Sequence, residues 1–285
     1  MSIQNENDLI ALRKIGKIVA QCLRYMGSKL EPGMTTLELD LLGQVFLEKH
    51  GARSAPKLVY NFPGTTCISV NEEAAHGIPS AKILGAGDLV NIDVSAELDG
   101  YFADTGGSFI IPPESNIKRD LCLATKLALD MALRSTKAGQ RLNCIGKAIE
   151  EVAFKSNLTV IENLGSHGVG RALHEEPSFI PGYYDPKDKR ILKENQVITI
   201  EPFLSTGATE VYDAGDGWTL RTDRRFLTAQ YEHTLVIKKG ETFDYDLACL
   251  SGKTLLSYRF YQVPTGAQNV RYMWLRCIYS FELFL

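Results

Sequence analysis

A mixed α/β fold, in which two related halves share one central sheet flanked by helices, is predicted by three observations. Two consecutive segments with helical periodicity are followed by an alternating hairpin around Asp99-Gly100. A similar order of two helices and then strands recurs after Pro112-Pro113, although no amino-acid repeat is visible. The 285 residues, 45% of them hydrophobic, are also enough to bury a large core.

Taken in order, apolar residues at helical spacing run from Leu9 to Leu30, and Pro32 forces that helix to end before it. Thr35 and Glu38 have capping-box spacing ahead of a second helix, Leu37 to Glu48, which Gly51 closes. Leu58 to Gly77 is rich in Pro, Gly, Asn and aromatics and reads as irregular. Asp88 to Ile111 then reads as two strands turning at Asp99-Gly100. Helical periodicity returns over Ile117 to Thr136 and Asn143 to Lys155, ahead of a strand at Leu158 to Ile161. Asp185 to Glu194 is a charged loop, Gln196 to Phe203 is β-rich, and Arg225 to Lys239 reads as a hairpin or paired strand region.

Composition narrows the function classes. A net charge of -3 leaves no basic excess for nucleic-acid binding, and no run of about 18 apolar residues offers a membrane span. Cysteines at 22, 67, 122, 144, 249 and 277 form no close pairs, which fits a reducing compartment better than a zinc or disulfide framework. The start, MSIQNENDLIALRKIGKI, has neither the positive flank nor the unbroken apolar stretch of a signal peptide, so a cytoplasmic protein is expected.

The chemistry concentrates in a few segments. If Asp99 and Gly100 are the central residues of a type I′ turn, cross-strand partners have numbers summing to 199, and Asp93 lies opposite Gly106. Asp104 is two residues from Gly106 and therefore on the same face as Asp93, with diagonal Cα atoms roughly 7–8 Å apart. For an isolated pair of aspartates, a strand-end cap and a turn residue would be the ordinary reading. The pair is not isolated: His167 lies in GSHGVGR, Glu201 ends the apolar strand of VITIEPF, and Glu232 lies in AQYEHT. Four carboxylates and one imidazole beside apolar strands suit divalent Mn, Fe, Co or Zn, and four acids overcharge one dication. Two metals about 3.5–4 Å apart with bridging carboxylates are therefore expected. Near such a centre His76, in NEEAAHGIPS, and His174, in RALHEEP, can meet the scissile amide and the tetrahedral intermediate. His233 points away from Glu232 on a strand and reads as supporting or core, and His50 as a surface residue.

These motifs, with NFPGTTCISVNEEAAHGIPS and GDLVNIDVSAELDGYFADT, stand in one order and spacing from about residue 6 to about 240, and there the chain resembles the type I methionine aminopeptidases. The resemblance implies a pita-bread fold, two pseudo-symmetric α/β halves around an antiparallel-rich sheet. It implies that Asp93 chelates one metal, that Asp104 and Glu232 bridge both, and that His167 and Glu201 complete the other shell. Glu201 would also be the base on the attacking water, His76 would meet the amide nitrogen and His174 the carbonyl oxygen. A methionine pocket of Tyr60, Phe62, Cys67, Leu173, Phe203 and Trp218 is implied as well. The implied reaction removes the initiator methionine from nascent proteins whose second residue is small, by a monomer at or near the ribosome.

The chain departs from the family pattern in two places. It reads Tyr60-Asn61-Phe62 where many relatives carry one more glycine, which alters the first pocket wall. Residues 249–285 lie beyond the catalytic domain expected at 1–248 and form an aromatic-rich extension of unassigned role, with Tyr258, Phe260, Tyr261, Tyr272, Trp274, Tyr279, Phe281 and Phe284. Two alternatives share the fold. Prolidases and Xaa-Pro aminopeptidases usually add an N-terminal domain, for which 285 residues leave no room. Non-catalytic pita-bread binding proteins would lack ligands, whereas all five stand here.

Overall fold

The computed structural model describes residues 1–239, so the expected 249–285 extension lies outside the described residues. Helix α1 (Glu6–Ser28) starts where the Asn5 side chain accepts from the Asp8 N–H at 3.0 Å. Its stripe of Leu12, Ile15, Val19, Leu23 and Met26 is buried, each such side chain contributing about 1.5–3 kcal/mol. Helix α2 (Thr36–Lys49) has the expected capping box. Thr35 Oγ1 accepts from the Glu38 N–H at 3.1 Å, and Glu38 Oε2 accepts from the Thr35 N–H at 2.8 Å.

Strand β1 (Arg53–Ser54), helix α3 (Ala55–Tyr60) and strands β2 (Cys67–Val70) and β3 (Glu73–Ala75) follow. The segment from Leu58 to Gly77 is thus more ordered than its composition predicts. Its elements are three to six residues long, too short to show a period, and Asn71, with φ at 59°, turns β2 into β3. Strands β4 (Leu89–Leu98) and β5 (Tyr101–Ile110) form the predicted hairpin, with Asp99 and Gly100 both left-handed at φ of 54° and 81°. The register sums to 199 and sets Asp93 opposite Gly106. Helices α4 (Asn116–Ser135) and α5 (Cys144–Lys155) then pack on one another.

The rest of the described chain supplies β6 (Thr159–Val160), β7 (Gly165–Gly168), β8 (Glu175–Pro181), β9 (Val197–Ile200) and β10 (Phe203–Ser205). It ends with β11 (Tyr212–Asp213), β12 (Leu220–Arg221), β13 (Thr228–Gln230) and β14 (Glu232–Val236). The large sheet runs β1-β4-β5-β14-β9-β7-β8 with β2 also on β4, and all its pairings are antiparallel. Helices α1 and α2 bury one apolar cluster against β4 and β5, while α4 and α5 bury a second against β9, β10 and β14. The two-half architecture expected from element order is borne out.

Two strand regions divide between sheets. The Arg225 to Lys239 region is not a hairpin, because β13 pairs β10 in a three-stranded sheet while β14 lies between β5 and β9. Gln196 to Phe203 likewise divides between two sheets at Glu201-Pro202. Pro202 has no N–H to continue a ladder, so the chain leaves one sheet and enters the other there.

Candidate metal centre

The register of the large sheet gathers the acidic residues. Cys67 lies opposite Asp93, Asp93 opposite Gly106, and Gly106 opposite Glu232, a single row across β2, β4, β5 and β14. The β14–β9 register, in which His233 faces Ile200, continues by one residue to set Glu201 beside Glu232. The neighbouring row on the same face runs Asp104, Thr234, Thr199, His167. Thr234 Oγ1 accepts from the Asp104 N–H at 2.9 Å and donates to its carbonyl at 2.8 Å, Thr234 pairs Thr199, and Thr199 Oγ1 accepts from the His167 N–H at 3.2 Å. Residues in adjacent rows on one face point the same way. The five residues singled out in the sequence thus meet although 139 positions separate Asp93 from Glu232.

One carboxylate oxygen each from Asp104 and Glu232 and a His167 ring nitrogen lie within 4.8 Å of one another. His167 Nε2 is 3.6 Å from Glu201 Oε1 and 3.9 Å from Asp104 Oδ2. The other ring nitrogen, Nδ1, is 2.9 Å from the Gly168 carbonyl and must carry the proton to donate there, which leaves the Nε2 lone pair facing the carboxylates. Burial, and secondarily His174, push the His167 pKa down to about 3, so the ring is neutral as a metal ligand must be.

Asp104, Glu201 and Glu232 are only 6, 8 and 1% exposed, and Asp93 is half-buried. Burial raises all four carboxyl pKa values, and for Asp104, Glu201 and Glu232 repulsion from neighbouring carboxylates adds to it. Asp104 Oδ1 and Glu232 Oε1 are buried with no hydrogen-bond partner. Buried, unpaired carboxylate oxygens are costly in protein alone, and divalent cations at this spot satisfy both the oxygens and the charge. The donor set therefore fits divalent metal.

Several supporting side chains escaped the sequence reading. Gln230 Nε2 donates to Glu232 Oε2 at 3.1 Å, and Asn91 Nδ2 donates to Gln230 Oε1 at 2.8 Å. Gly106 makes room for this: a Cβ there would lie 2.2 Å from Gln230 Oε1. Thr199 Oγ1 donates to Glu201 Oε1 at 3.4 Å, and Ser166 Oγ accepts from the Glu201 N–H at 2.9 Å. Gln230 was findable, since it precedes Glu232 by only two residues in AQYEHT.

Of the other residues singled out, His174 and Cys67 lie directly against this centre. His76 follows β3 with φ at 54°, exposed, its pKa lowered by the surrounding protein and by nearby His174. His174 lies on the β7–β8 connection with its ring centroid 4.1 Å from that of His167, and burial lowers its pKa as well. Tyr60 Oη is 2.7 Å from His174 Nδ1. Phe62 and Trp218 meet edge to face at 5.2 Å. The Trp218 hairpin is tied to the His76 strand by β12–β3 pairing. Cys67 sits beside Asp93, and burial, then that neighbour, raise its thiol pKa well above the usual range. Phe203 packs with Ala74, Ala75 and Val211, and Leu173 is buried in the α1–α2 core, so these two stand in different apolar clusters.

Comparison with known proteins agrees with this geometry. The model of metallopeptidase family M24 matches residues 11–239. The chain is 50% identical over 242 residues, 85% of this chain and 97% of the other, to methionine aminopeptidase 2 of Bacillus subtilis. It is similar to the crystal structure of methionine aminopeptidase from Thermotoga maritima, with a TM-score of 0.81 and 32% identity, covering 85% of this chain and 97% of that one. The prolidase from Pyrococcus furiosus aligns with a TM-score of 0.67 at 21% identity over 84% of this chain and 63% of its own, a likeness of fold alone. The pita-bread fold expected from the motifs is the fold observed.

Proposed function

The chain belongs to metallopeptidase family M24, and on that premise we propose that it removes the initiator methionine from protein N-termini when the second residue is small. The observation that carries this reading is the pair of adjacent sheet rows in which four carboxylates, three of them buried, and one neutral imidazole converge, with two carboxylate oxygens unpaired. Asp93, Asp104, His167, Glu201 and Glu232 would hold two divalent ions, with Asp104 and Glu232 as the carboxylates both ions share. When bound, such ions supply Lewis acidity toward the scissile carbonyl and lower the pKa of the attacking water toward ~7.

The chain's own residues do the rest. Glu201 takes the proton of the attacking water, its neighbours Thr199 and Ser166 holding it in place. His174 donates to the carbonyl oxygen as negative charge grows there, and His76 meets the amide nitrogen that becomes the leaving amine. Tyr60, Phe62, Cys67, Leu173, Phe203 and Trp218 receive the methionine side chain, whose unbranched thioether suits a soft apolar wall. Cys67 stays a thiol because burial and Asp93 oppose its ionisation. The reading extends to a monomer acting on nascent chains beside the ribosome in the cytoplasm. Among the described residues no helix is long and apolar enough to cross a membrane.

The test removes metal by chelation, restores Co, Mn, Fe or Zn separately, counts bound ions and assays Met-Ala-Ser, Met-Gly-Met-Met and Xaa-Pro peptides. Cleavage of the methionyl peptides with two ions bound, and none of the Xaa-Pro peptides, is the expected outcome. Xaa-Pro cleavage alone would move the chain to the prolidase branch, and absence of metal binding would make it a binding protein. Efficient cleavage before Lys or Phe would show that the second-residue wall is open.

A further inference from the structure

We propose that Tyr60 is a positioning residue for catalysis, its hydroxyl bonded to His174 so that the opposite ring nitrogen, Nε2, carries the proton donated to the scissile carbonyl. This rests on the reading of His174 as the carbonyl donor and goes beyond the pocket-wall role implied for Tyr60.

The contact is short, 2.7 Å from Tyr60 Oη to His174 Nδ1, with ring centroids 5.7 Å apart. A phenol proton is more acidic than an imidazole N–H, and an imidazole lone pair is more basic than a phenol oxygen, so Tyr60 donates and Nδ1 accepts. A neutral imidazole that accepts at one nitrogen holds its proton on the other. Without this bond the two tautomers interchange, and the one with a bare Nε2 would face a carbonyl oxygen with a lone pair, which stabilises nothing.

Tyr60 is held well enough for this task despite being 42% exposed. It ends α3, whose exit is turned by left-handed Asn61, φ 57°, with the Asn61 N–H donating back to the Lys57 carbonyl at 3.3 Å. The helix is tied to the following segment by Ser54 Oγ donating to the Thr65 carbonyl at 2.7 Å and Lys57 Nζ donating to Thr65 Oγ1 at 2.8 Å. That segment is anchored in turn by buried Asp40, whose carboxylate accepts from the N–H groups of Thr65 and Thr66 at 2.9 and 2.8 Å. The shortened Tyr60-Asn61-Phe62 turn thus places the hydroxyl on a braced element.

The experiment uses the full chain loaded with Zn. Long-range 15N NMR of His174, one of five histidines in the chain, reads which nitrogen bears the proton. Steady-state turnover of Met-Ala-Ser is measured for Tyr60→Phe, His174→Ala and the double variant. The expected result is a proton on Nε2 in the parent protein and mixed tautomers in Tyr60→Phe. Tyr60→Phe should lower kcat about tenfold with KM within about twofold, and cost nothing further in the His174→Ala background. A proton on Nδ1 in the parent, or an undiminished Tyr60→Phe cost when His174 is absent, would overturn the proposal. Full turnover by His174→Ala would overturn the donor reading itself, whereas a large loss there with none in Tyr60→Phe would remove only the role of Tyr60.

Discussion

The carboxylate side of this centre and the side proposed to receive substrate are built differently. The carboxylates and His167 stand in two adjacent rows of one continuous antiparallel sheet, where a shift of one residue in any strand would turn a ligand to the opposite face. His76, His174, Tyr60 and Trp218 instead stand at the ends of short elements or on connections, with Tyr60 bonded to His174 and Trp218 packed on Phe62. Damage to the first region should therefore abolish the site as a unit, and damage to the second should be graded and separable from metal binding.

The largest effect is expected from Asp104→Asn, which removes the charge of the carboxylate proposed to bridge the ions. Bound metal and turnover should fall together, turnover by roughly a thousandfold or more, and elemental analysis showing two bound ions would break the contrast. Next is the pH behaviour of chelated protein. The four carboxyl groups have raised folded-state pKa values, so the stability tied to their protonation is present below about pH 4 and lost as pH rises through those values. Metal removes that loss. The gap in melting temperature between metal-loaded and chelated protein should widen from pH 5 to pH 8, and a constant gap would mean that the carboxylates do not share the cation.

A smaller effect sharpens the comparison within the carboxylate side. Gln230→Ala takes the donor from Glu232 Oε2 and should weaken metal affinity about 10–100-fold while leaving KM for Met-Ala-Ser nearly unchanged, as read by metal titration. The smallest is a control far from both regions. Thr35→Ala breaks the α2 capping box and should cost about 1 kcal/mol, lowering the melting temperature by about 2–4 °C with turnover intact.

Much of the carboxylate side was legible from local chemistry. Asp99-Gly100 implied a turn with positive φ at both positions, the turn implied the register, and the register put Asp93 and Asp104 on one face. Capping and periodicity likewise located α1, α2, α4 and α5 to within a few residues. The division of Glu201-Pro202-Phe203 between two sheets was not legible, nor was the parting of β13 from β14, because a β pattern states which side chains alternate and not which strand they join. The six pocket residues show the same limit. They came from a motif, and the structure distributes Phe203 and Leu173 to separate clusters while bringing Phe62 to Trp218 and Tyr60 to His174.

Residue type and short-range spacing were enough to specify the helices, the hairpin, its register and a set of groups able to hold divalent ions, since each depends on φ preferences, side-chain period or donor chemistry within a few positions. Which distant strands lie side by side was settled only when the chain folded. Bringing Glu232, Glu201 and His167 next to the Asp93–Asp104 hairpin costs long-loop entropy that is recovered through two buried cores and a shared sheet, contributions to which all the packed residues belong together.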